Sequence, residues 1–284
     1  MIPHAFEYTK PSTVDDAVRA LIDAGEDAKV LAGGQSLIPV LRLRLAAPTT
    51  LVDLGGLADL RGVRDDGETL VIGAMTTHAE ILADRLVRQH APLIARATAT
   101  VGDRQVRHLG TFGGSLAHAD PAGDLPAVAV ALDALMEVAG PDGHRSVPAS
   151  EFFVDYLTTA LAPGEILVSV RVPKLPGWGS HYEKFSRVAQ AWAMVGVAVA
   201  VRRDNGGVSG ARVALTNMGP TPVRASAVEE ALVGGPATAA AYVEAAGRAG
   251  EGTRPTDDLS ASAEYRTHLA TVLTARAVAA AAEG

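Results

Sequence analysis

Two stretches of this chain, Ala32-Gly33-Gly34-Gln35-Ser36 and Thr111-Phe112-Gly113-Gly114-Ser115, each place two adjacent glycines beside a hydroxyl. We call them the first and the second glycine segment. Adjacent residues without side chains leave backbone N–H groups open to a close neighbour, and the hydroxyl adds another donor. Such a group of donors suits a phosphate. Two glycine loops of this kind therefore predict a pyrophosphate site.

The surroundings of the first glycine segment favour this interpretation. The apolar run Lys29–Leu31 predicts a strand that leads into the segment, and Ser36–Leu41 predicts a helix that follows it. A single glycine pair is more often only a turn. Neither segment has the pattern G-x-G-x-x-G, and the chain has no G-x-x-x-x-G-K-[ST], which argues against a Rossmann-type NAD site and against ATP hydrolysis. The predicted ligand that remains is a dinucleotide bound by a loop arrangement other than these two.

Composition restricts the partners of the protein. The chain has 284 residues, of which 48% are hydrophobic, and this is enough for two or three small domains. Its formal charge of -7 and its scattered basic residues exclude nucleic acid and an anionic membrane as partners. Neither a signal peptide nor an apolar stretch of membrane-spanning length is recognisable. We therefore expect a cytoplasmic protein without a membrane span.

The absence of cysteine restricts the chemistry. The sequence contains no cysteine, and an iron–sulfur cluster needs cysteine thiolates. The eight histidines show no spacing typical of metal ligands, so we expect no metal in this chain. If the chain transfers electrons, it must use an organic cofactor or receive them from a cluster in a partner.

Runs rich in proline and glycine indicate where the chain divides into domains. The run Pro173-Lys174-Leu175-Pro176-Gly177-Trp178-Gly179 breaks any regular element and predicts the main boundary. We predict an N-terminal α/β unit over residues 1–55, a second unit over 56–175 and a C-terminal α+β domain over 176–284. In the last, two predicted strands flank the hairpin signal Asp204-Asn205-Gly206-Gly207, and alanine-rich helices follow.

Three motifs in the same order resemble a known family, the FAD-binding medium subunits of aerobic carbon monoxide dehydrogenase and of the related molybdenum hydroxylases, including xanthine dehydrogenase. They are Lys29-Val30-Leu31-Ala32-Gly33-Gly34-Gln35-Ser36-Leu37, Gln105-Val106-Arg107-His108-Leu109-Gly110-Thr111-Phe112-Gly113-Gly114-Ser115 and Ala119-Asp120-Pro121-Ala122-Gly123-Asp124-Leu125-Pro126. The resemblance extends over nearly the whole chain. It implies an α+β fold, in which a two-part FAD-binding domain of the vanillyl-alcohol-oxidase or PCMH type precedes a smaller C-terminal α+β domain with an antiparallel sheet.

The resemblance also implies which residues bind FAD. Those of the two glycine segments would bind the pyrophosphate through backbone N–H groups and hydroxyls: Ala32, Gly33, Gly34, Gln35, Ser36, Thr111, Gly113, Gly114 and Ser115. Asp124 would accept a hydrogen bond from the cofactor, Leu161 would pack near the flavin, and Lys184 would lie near the isoalloxazine ring, where its charge favours the reduced flavin. No catalytic residue and no metal ligand is implied.

Each of the last three residues also has a purely structural interpretation. Asp124 is a candidate helix N-cap, Leu161 a candidate core residue and Lys184 a candidate lysine on an exposed strand face. Two further positions stay open. Trp192 lies where the family often has an aromatic residue against the flavin, although a core or interface role is as plausible, and the pair His118 and Asp120 suits hydrogen bonding within a loop.

The function implied is that of an electron-relaying flavoprotein subunit. Electrons from the [2Fe-2S] clusters of a small partner subunit would pass through FAD to an external acceptor, which is oxygen, a quinone or NAD. A molybdopterin-binding large subunit would oxidise the substrate and complete a heterotrimer, most similar to carbon monoxide dehydrogenase. Two alternatives stay open: a self-contained FAD oxidase of the vanillyl-alcohol-oxidase type, and a non-catalytic nucleotide-binding subunit.

Overall fold

The computed structural model describes residues 2–284, so Met1, the first residue of the first predicted unit, lies outside it. The chain begins with a three-stranded parallel sheet in the order β1-β3-β2. Its strands and helices are β1 (Glu7–Thr9), α1 (Val14–Ala24), β2 (Ala28–Leu31), α2 (Leu37–Arg42) and β3 (Thr50–Asp53). Thr13 caps α1, because its side chain accepts a hydrogen bond from the backbone of Asp16, and Gly25 ends the helix with φ +77°.

The next part is built on an antiparallel five-stranded sheet in the order β4-β5-β10-β6-β7. The strands are β4 (Val63–Asp66), β5 (Thr69–Gly73), β6 (Leu135–Gly140), β7 (Gly143–Pro148) and β10 (Ile166–Pro173), and a small hairpin is formed by β8 (Phe153–Asp155) and β9 (Thr158–Thr159). The helices are α3 (His78–Ala83), α4 (Arg85–His90), α5 (Pro92–Ala99), α6 (Arg104–Leu109), α7 (Phe112–His118), α8 (Asp124–Ala131) and α9 (Ala149–Phe152).

Local sequence signals in this part are confirmed. The turn between β4 and β5 has Gly67 at φ +74°, as the Asp-Gly pair predicts. Thr77 and Glu80 form the capping box that the spacing Thr77-His78-Ala79-Glu80 predicts, with the Thr77 backbone N–H donating to the Glu80 carboxylate at 2.7 Å. One prediction needs correction. The second glycine segment is not a loop, because Thr111 caps α7 and Gly113 lies in its first turn.

The C-terminal part is a four-stranded antiparallel sheet in the order β11-β12-β13-β14, covered by helices. Its elements are β11 (Trp178–Phe185), β12 (Val195–Asp204), β13 (Gly207–Thr216), β14 (Val223–Arg224), α10 (Ser226–Leu232), α11 (Ala239–Ala246) and α12 (Ala263–Glu283). Asn205 and Gly206 both have positive φ in the predicted hairpin turn. The α+β fold with an antiparallel C-terminal sheet is confirmed. The division at residues 55 and 175 stays a prediction, and the separate sheets support it.

Helix α8 joins the second part to the C-terminal sheet. All eight of its residues are buried, and it contacts β12 and β13 as well as α5 and α7. At its C-terminal end, the carbonyls of Val130 and Leu132 accept hydrogen bonds from Arg224 at 2.8 Å and from Arg212 at 3.2 Å. Both guanidinium groups also pair with Asp133. Cationic groups at the carbonyl end complement the helix dipole, so the C-terminal sheet stabilises this helix directly.

Candidate functional site

The two glycine segments lie against each other. A Cβ on Gly33 would lie 2.1 Å from the carbonyl oxygen of Leu109, and a Cβ on Gly114 would lie 3.4 Å from the Cβ of Ala32. Glycine at position 33 therefore allows the first segment to approach the end of α6 just before the second segment begins. The structure thus brings together the residues that the sequence predicts to share one ligand.

The first glycine segment carries a run of free donors. The backbone N–H groups of five consecutive residues, Gly33 to Leu37, find no acceptor within residues 2–284, and the next N–H group, that of Ile38, donates to Gly34. Gly34 has φ +71°, a conformation that residues with a side chain rarely adopt. Consecutive unpaired N–H groups around such a residue are typical of an anion-binding loop.

The second glycine segment differs, and this corrects the expectation of free N–H groups there. Its backbone N–H groups at Gly113, Gly114 and Ser115 donate to the Ala74 carbonyl, the Thr111 hydroxyl and the Thr111 carbonyl, at 2.8, 3.1 and 3.0 Å. What this segment offers a ligand is the Ser115 hydroxyl and a surface with little side-chain bulk.

The residues that fix the second segment were not predicted. Thr77 forms a β-bridge with Thr111, and the backbone N–H of His78 donates to the Gly110 carbonyl at 2.9 Å. The His78 ring packs against Gly110, where a Cβ would lie 3.0 Å from its Cδ2. Burial lowers the pKa of His78 to about 4, and the nearby Arg107 charge adds to this. His78 is therefore a neutral, buried support behind the second glycine segment.

Asp124 and Lys184 form a buried ion pair. The Lys184 ammonium donates to Asp124 Oδ2 at 2.8 Å and to the Thr100 carbonyl at 3.1 Å. The two side chains are only 7% and 4% exposed. Lys184 is therefore not a lysine on an exposed strand face, and Asp124 is not the N-cap, which is Gly123. Sequence alone could not pair these residues, because they are 60 positions apart.

A third member of this group, Tyr182, was also not predicted. Its hydroxyl donates to Asp124 Oδ1 at 2.7 Å and lies 3.4 Å from the Thr216 hydroxyl. Burial raises the pKa of Asp124, and the Lys184 charge opposes this. Burial and the neighbouring Asp124 charge raise the pKa of Tyr182 well above its ordinary value, so the phenol stays protonated and remains a donor.

The remaining predicted positions lie elsewhere. Leu161 is half-buried against the main core, next to the hairpin of β8 and β9. Trp192 is 57% exposed, between β11 and β12, so it is not a core residue. Asp120 accepts a hydrogen bond from the Ala122 backbone at 2.8 Å, and its carboxylate lies 3.9 Å from the His118 ring. This is the hydrogen bonding within a loop that the sequence suggested.

Within residues 2–284, no three histidine, aspartate or glutamate side chains lie close enough together to hold a metal ion. No helix in the same range is both long and apolar enough to cross a bilayer.

Comparisons with known proteins cover the whole chain. Residues 4–175 match the family described as the FAD binding domain in molybdopterin dehydrogenase, and residues 180–281 match the CO dehydrogenase flavoprotein C-terminal domain. The chain is 42% identical to the carbon monoxide dehydrogenase medium chain of Hydrogenophaga pseudoflava, covering 99% of this chain and 98% of that one. It is 37% identical to subunit alpha of the 6-hydroxypseudooxynicotine dehydrogenase complex of Paenarthrobacter nicotinovorans, covering 98% and 95%. A solved structure of the Hydrogenophaga pseudoflava carbon monoxide dehydrogenase superposes with a TM-score of 0.97 at 44% identity, covering 99% and 98%.

Proposed function

Since this chain belongs to the family of FAD-carrying medium subunits of carbon monoxide dehydrogenase-type molybdenum hydroxylases, we propose that it relays electrons through its FAD from a partner's [2Fe-2S] clusters to an external acceptor. The observation that supports the cofactor site is the run of five unpaired N–H groups from Gly33 to Leu37, which lies against the second glycine segment. A pyrophosphate supplies the acceptors that these donors lack.

The residues present fit the cofactor. In the proposed site, the first glycine segment holds the pyrophosphate through its N–H groups and the Ser36 hydroxyl, and Ser115 adds a second hydroxyl. Bound FAD supplies the ability to take up electrons singly or in pairs. Asp124, Lys184 and Leu161 are proposed to lie on the side of the flavin ring. Because Asp124 and Lys184 are already paired, they act there as one unit.

The partners follow from what this chain lacks. Without cysteine it has no thiolates for an iron–sulfur cluster, so the cluster belongs to a separate small subunit. A molybdopterin-binding large subunit is the proposed place of substrate oxidation, with carbon monoxide as the first substrate to test, because the chain resembles carbon monoxide dehydrogenase medium chains over its full length. The acceptor, whether oxygen, a quinone or NAD, depends on the assembled complex.

The electron relay is tested by rapid mixing. When the assembled complex is mixed with carbon monoxide, we expect the iron–sulfur and flavin absorbance to bleach together, and mass spectrometry of the acid-released cofactor to identify FAD. The chain on its own, loaded with FAD, should stay oxidised under the same conditions. Reduction of the flavin by substrate in the isolated chain would support a self-contained oxidase instead, and recovery of FMN would contradict the proposed pyrophosphate site.

The pyrophosphate site is tested by Gly34→Ala. Gly34 has φ +71°, and an added Cβ would press only on the flexible end of Ile38, at 2.6 Å. We expect the flavin affinity of the chain to fall at least tenfold, because the N–H groups on either side lose their arrangement. Gly252→Ala is the matched control, since Gly252 has φ +74° and open space around it. Both variants carry a similar backbone strain of about 1 kcal/mol. Equal flavin affinity in the two variants would mean that the first glycine segment is only a turn.

A further inference from the structure

Tyr182 lies two residues before Lys184 on β11 and, like Lys184, reaches across the boundary between the two parts of the molecule to Asp124. It is 5% exposed, and its hydroxyl donates to Asp124 Oδ1, while the Lys184 ammonium occupies Oδ2. Space for this hydroxyl comes from Gly196 on β12, where a Cβ would lie 2.4 Å from the phenol oxygen. The phenol is therefore held in place on both sides, and each carboxylate oxygen has its own donor.

We propose that Tyr182 is a positioning residue that keeps the Asp124–Lys184 pair in its charged form and thereby sets the charge beside the flavin. The inference rests on the proposed function, because that function places Lys184 near the flavin ring. Tyr182 itself acts only through Asp124.

The physical reason is the low exposure of the pair. Two opposite charges in a poorly hydrated place can neutralise by proton transfer, here from Lys184 Nζ to Asp124 Oδ2, and each further hydrogen bond to the carboxylate opposes that transfer. Burial already raises the pKa of Asp124. The titratable groups that face Asp124 are Lys184 and Tyr182, both on β11. Without the phenol, only the ammonium supports the ionised carboxylate.

The consequence concerns the bound flavin. A neutral amine at Lys184 favours the electron-rich form of the cofactor less than an ammonium does. Tyr182→Phe should therefore shift the midpoint potential of the flavin to more negative values. The shift relative to the natural protein should be similar at every pH across the neutral range, because proton transfer within the pair neither takes up nor releases a proton. A purely structural loss of one hydrogen bond would lower stability and leave the potential unchanged.

The experiment compares two buried tyrosines of the same domain in the assembled complex. Tyr242 is also 5% exposed, but its hydroxyl has no partner within residues 2–284, so Tyr242→Phe removes a phenol oxygen without breaking a hydrogen bond. The flavin content and the midpoint potential are measured between pH 6 and 9 for the natural protein and both variants. We expect Tyr242→Phe to match the natural protein, and Tyr182→Phe to keep its flavin while showing a negative shift of similar size at each pH.

The remaining outcomes of this experiment either overturn the proposal or lead to a second test of it. Equal potentials in the two variants overturn it. If Tyr182→Phe does not fold, Gly196→Ala replaces it, because the added Cβ would lie 2.4 Å from the phenol oxygen and displace it from Asp124. An unchanged potential in that variant also overturns the proposal. If the natural protein carries no flavin, the proposed function fails. The role of Tyr182 is then judged from the infrared spectrum of the chain alone, in which Tyr182→Phe should show a protonated carboxyl band that the natural protein and Tyr242→Phe lack.

Discussion

Replacing Lys184 by methionine is expected to lower the free energy of unfolding of the chain by about 3 to 5 kcal/mol, because it leaves a buried carboxylate without its counter-charge. The Asp124 side chain is only 4% exposed, so water cannot take over the role of the ammonium. Chemical denaturation of the purified chain at neutral pH measures the loss. Because the pair joins α8 to β11, we expect the substitution to weaken the packing of the C-terminal sheet against α8.

The pH dependence of this loss gives a second check. Burial raises the pKa of Asp124, and removal of Lys184 removes the main influence that opposes it. When the pKa of a carboxyl is raised in the folded state, the folded chain loses stability as the pH rises above the ordinary pKa of that carboxyl, about 4. The free energy of unfolding of the variant should therefore be closer to that of the natural protein at pH 5 than at pH 8.

Lys174→Met is the matched control for this substitution. Its ammonium also pairs with a carboxylate, at 2.6 Å from Asp65, but the Asp65 side chain is 44% exposed. Because water screens such a pair, this replacement should cost far less. Equal losses in the two lysine variants would show that the Asp124–Lys184 pair contributes no more than a surface pair does.

Acidification is expected to destabilise the chain through His78 by about 3 kcal/mol between neutral pH and pH 4. The pKa of His78 is lowered to about 4 in the folded chain, whereas an unfolded histidine titrates near 6.5. The unfolded chain therefore binds a proton first, and stability falls as the pH drops below about 6.5. The measurement is the free energy of unfolding as a function of pH.

His78→Asn should remove this part of the pH dependence, since it removes the titrating group. His144→Asn is the control, because His144 is exposed on β7. If the natural protein and His78→Asn lose the same free energy between pH 6.5 and 4, the buried ring does not stay neutral in the folded chain. The proposed support behind Gly110 would then have to be revised.

Local chemistry explains which elements the sequence could predict. The capping box at Thr77 and the hairpin turn at Asn205–Gly206 depend on residues within four positions of one another, and both are present as predicted. The second glycine segment was expected to be a loop, because adjacent glycines are typical of turns. The Thr111 cap and the hydrogen bond from Gly113 to the Ala74 carbonyl overcome that preference. The second of these depends on a residue far away in sequence.

The site could be predicted only in part for a related reason. The resemblance to the family implied that both glycine segments, Asp124 and Lys184 share one site, but it did not show that the last two neutralise each other. Tyr182 and Asp124 are 58 positions apart, and no local pattern marks a tyrosine on a strand as the donor to a distant aspartate. Nor does the sequence show that the donors of the second segment are already used within its own helix.

The complete burial of α8 has a consequence for synthesis on the ribosome. Residues 124–131 are made before β12 and β13, the strands that cover them. Of the arginines that complete the far end of this helix, Arg212 lies on β13 and Arg224 on β14, which is made later still. Until about 90 further residues have emerged, the nascent chain displays an apolar helix with open carbonyls, which is a surface that chaperones bind. The cover of this helix is therefore complete only after β14 has been translated.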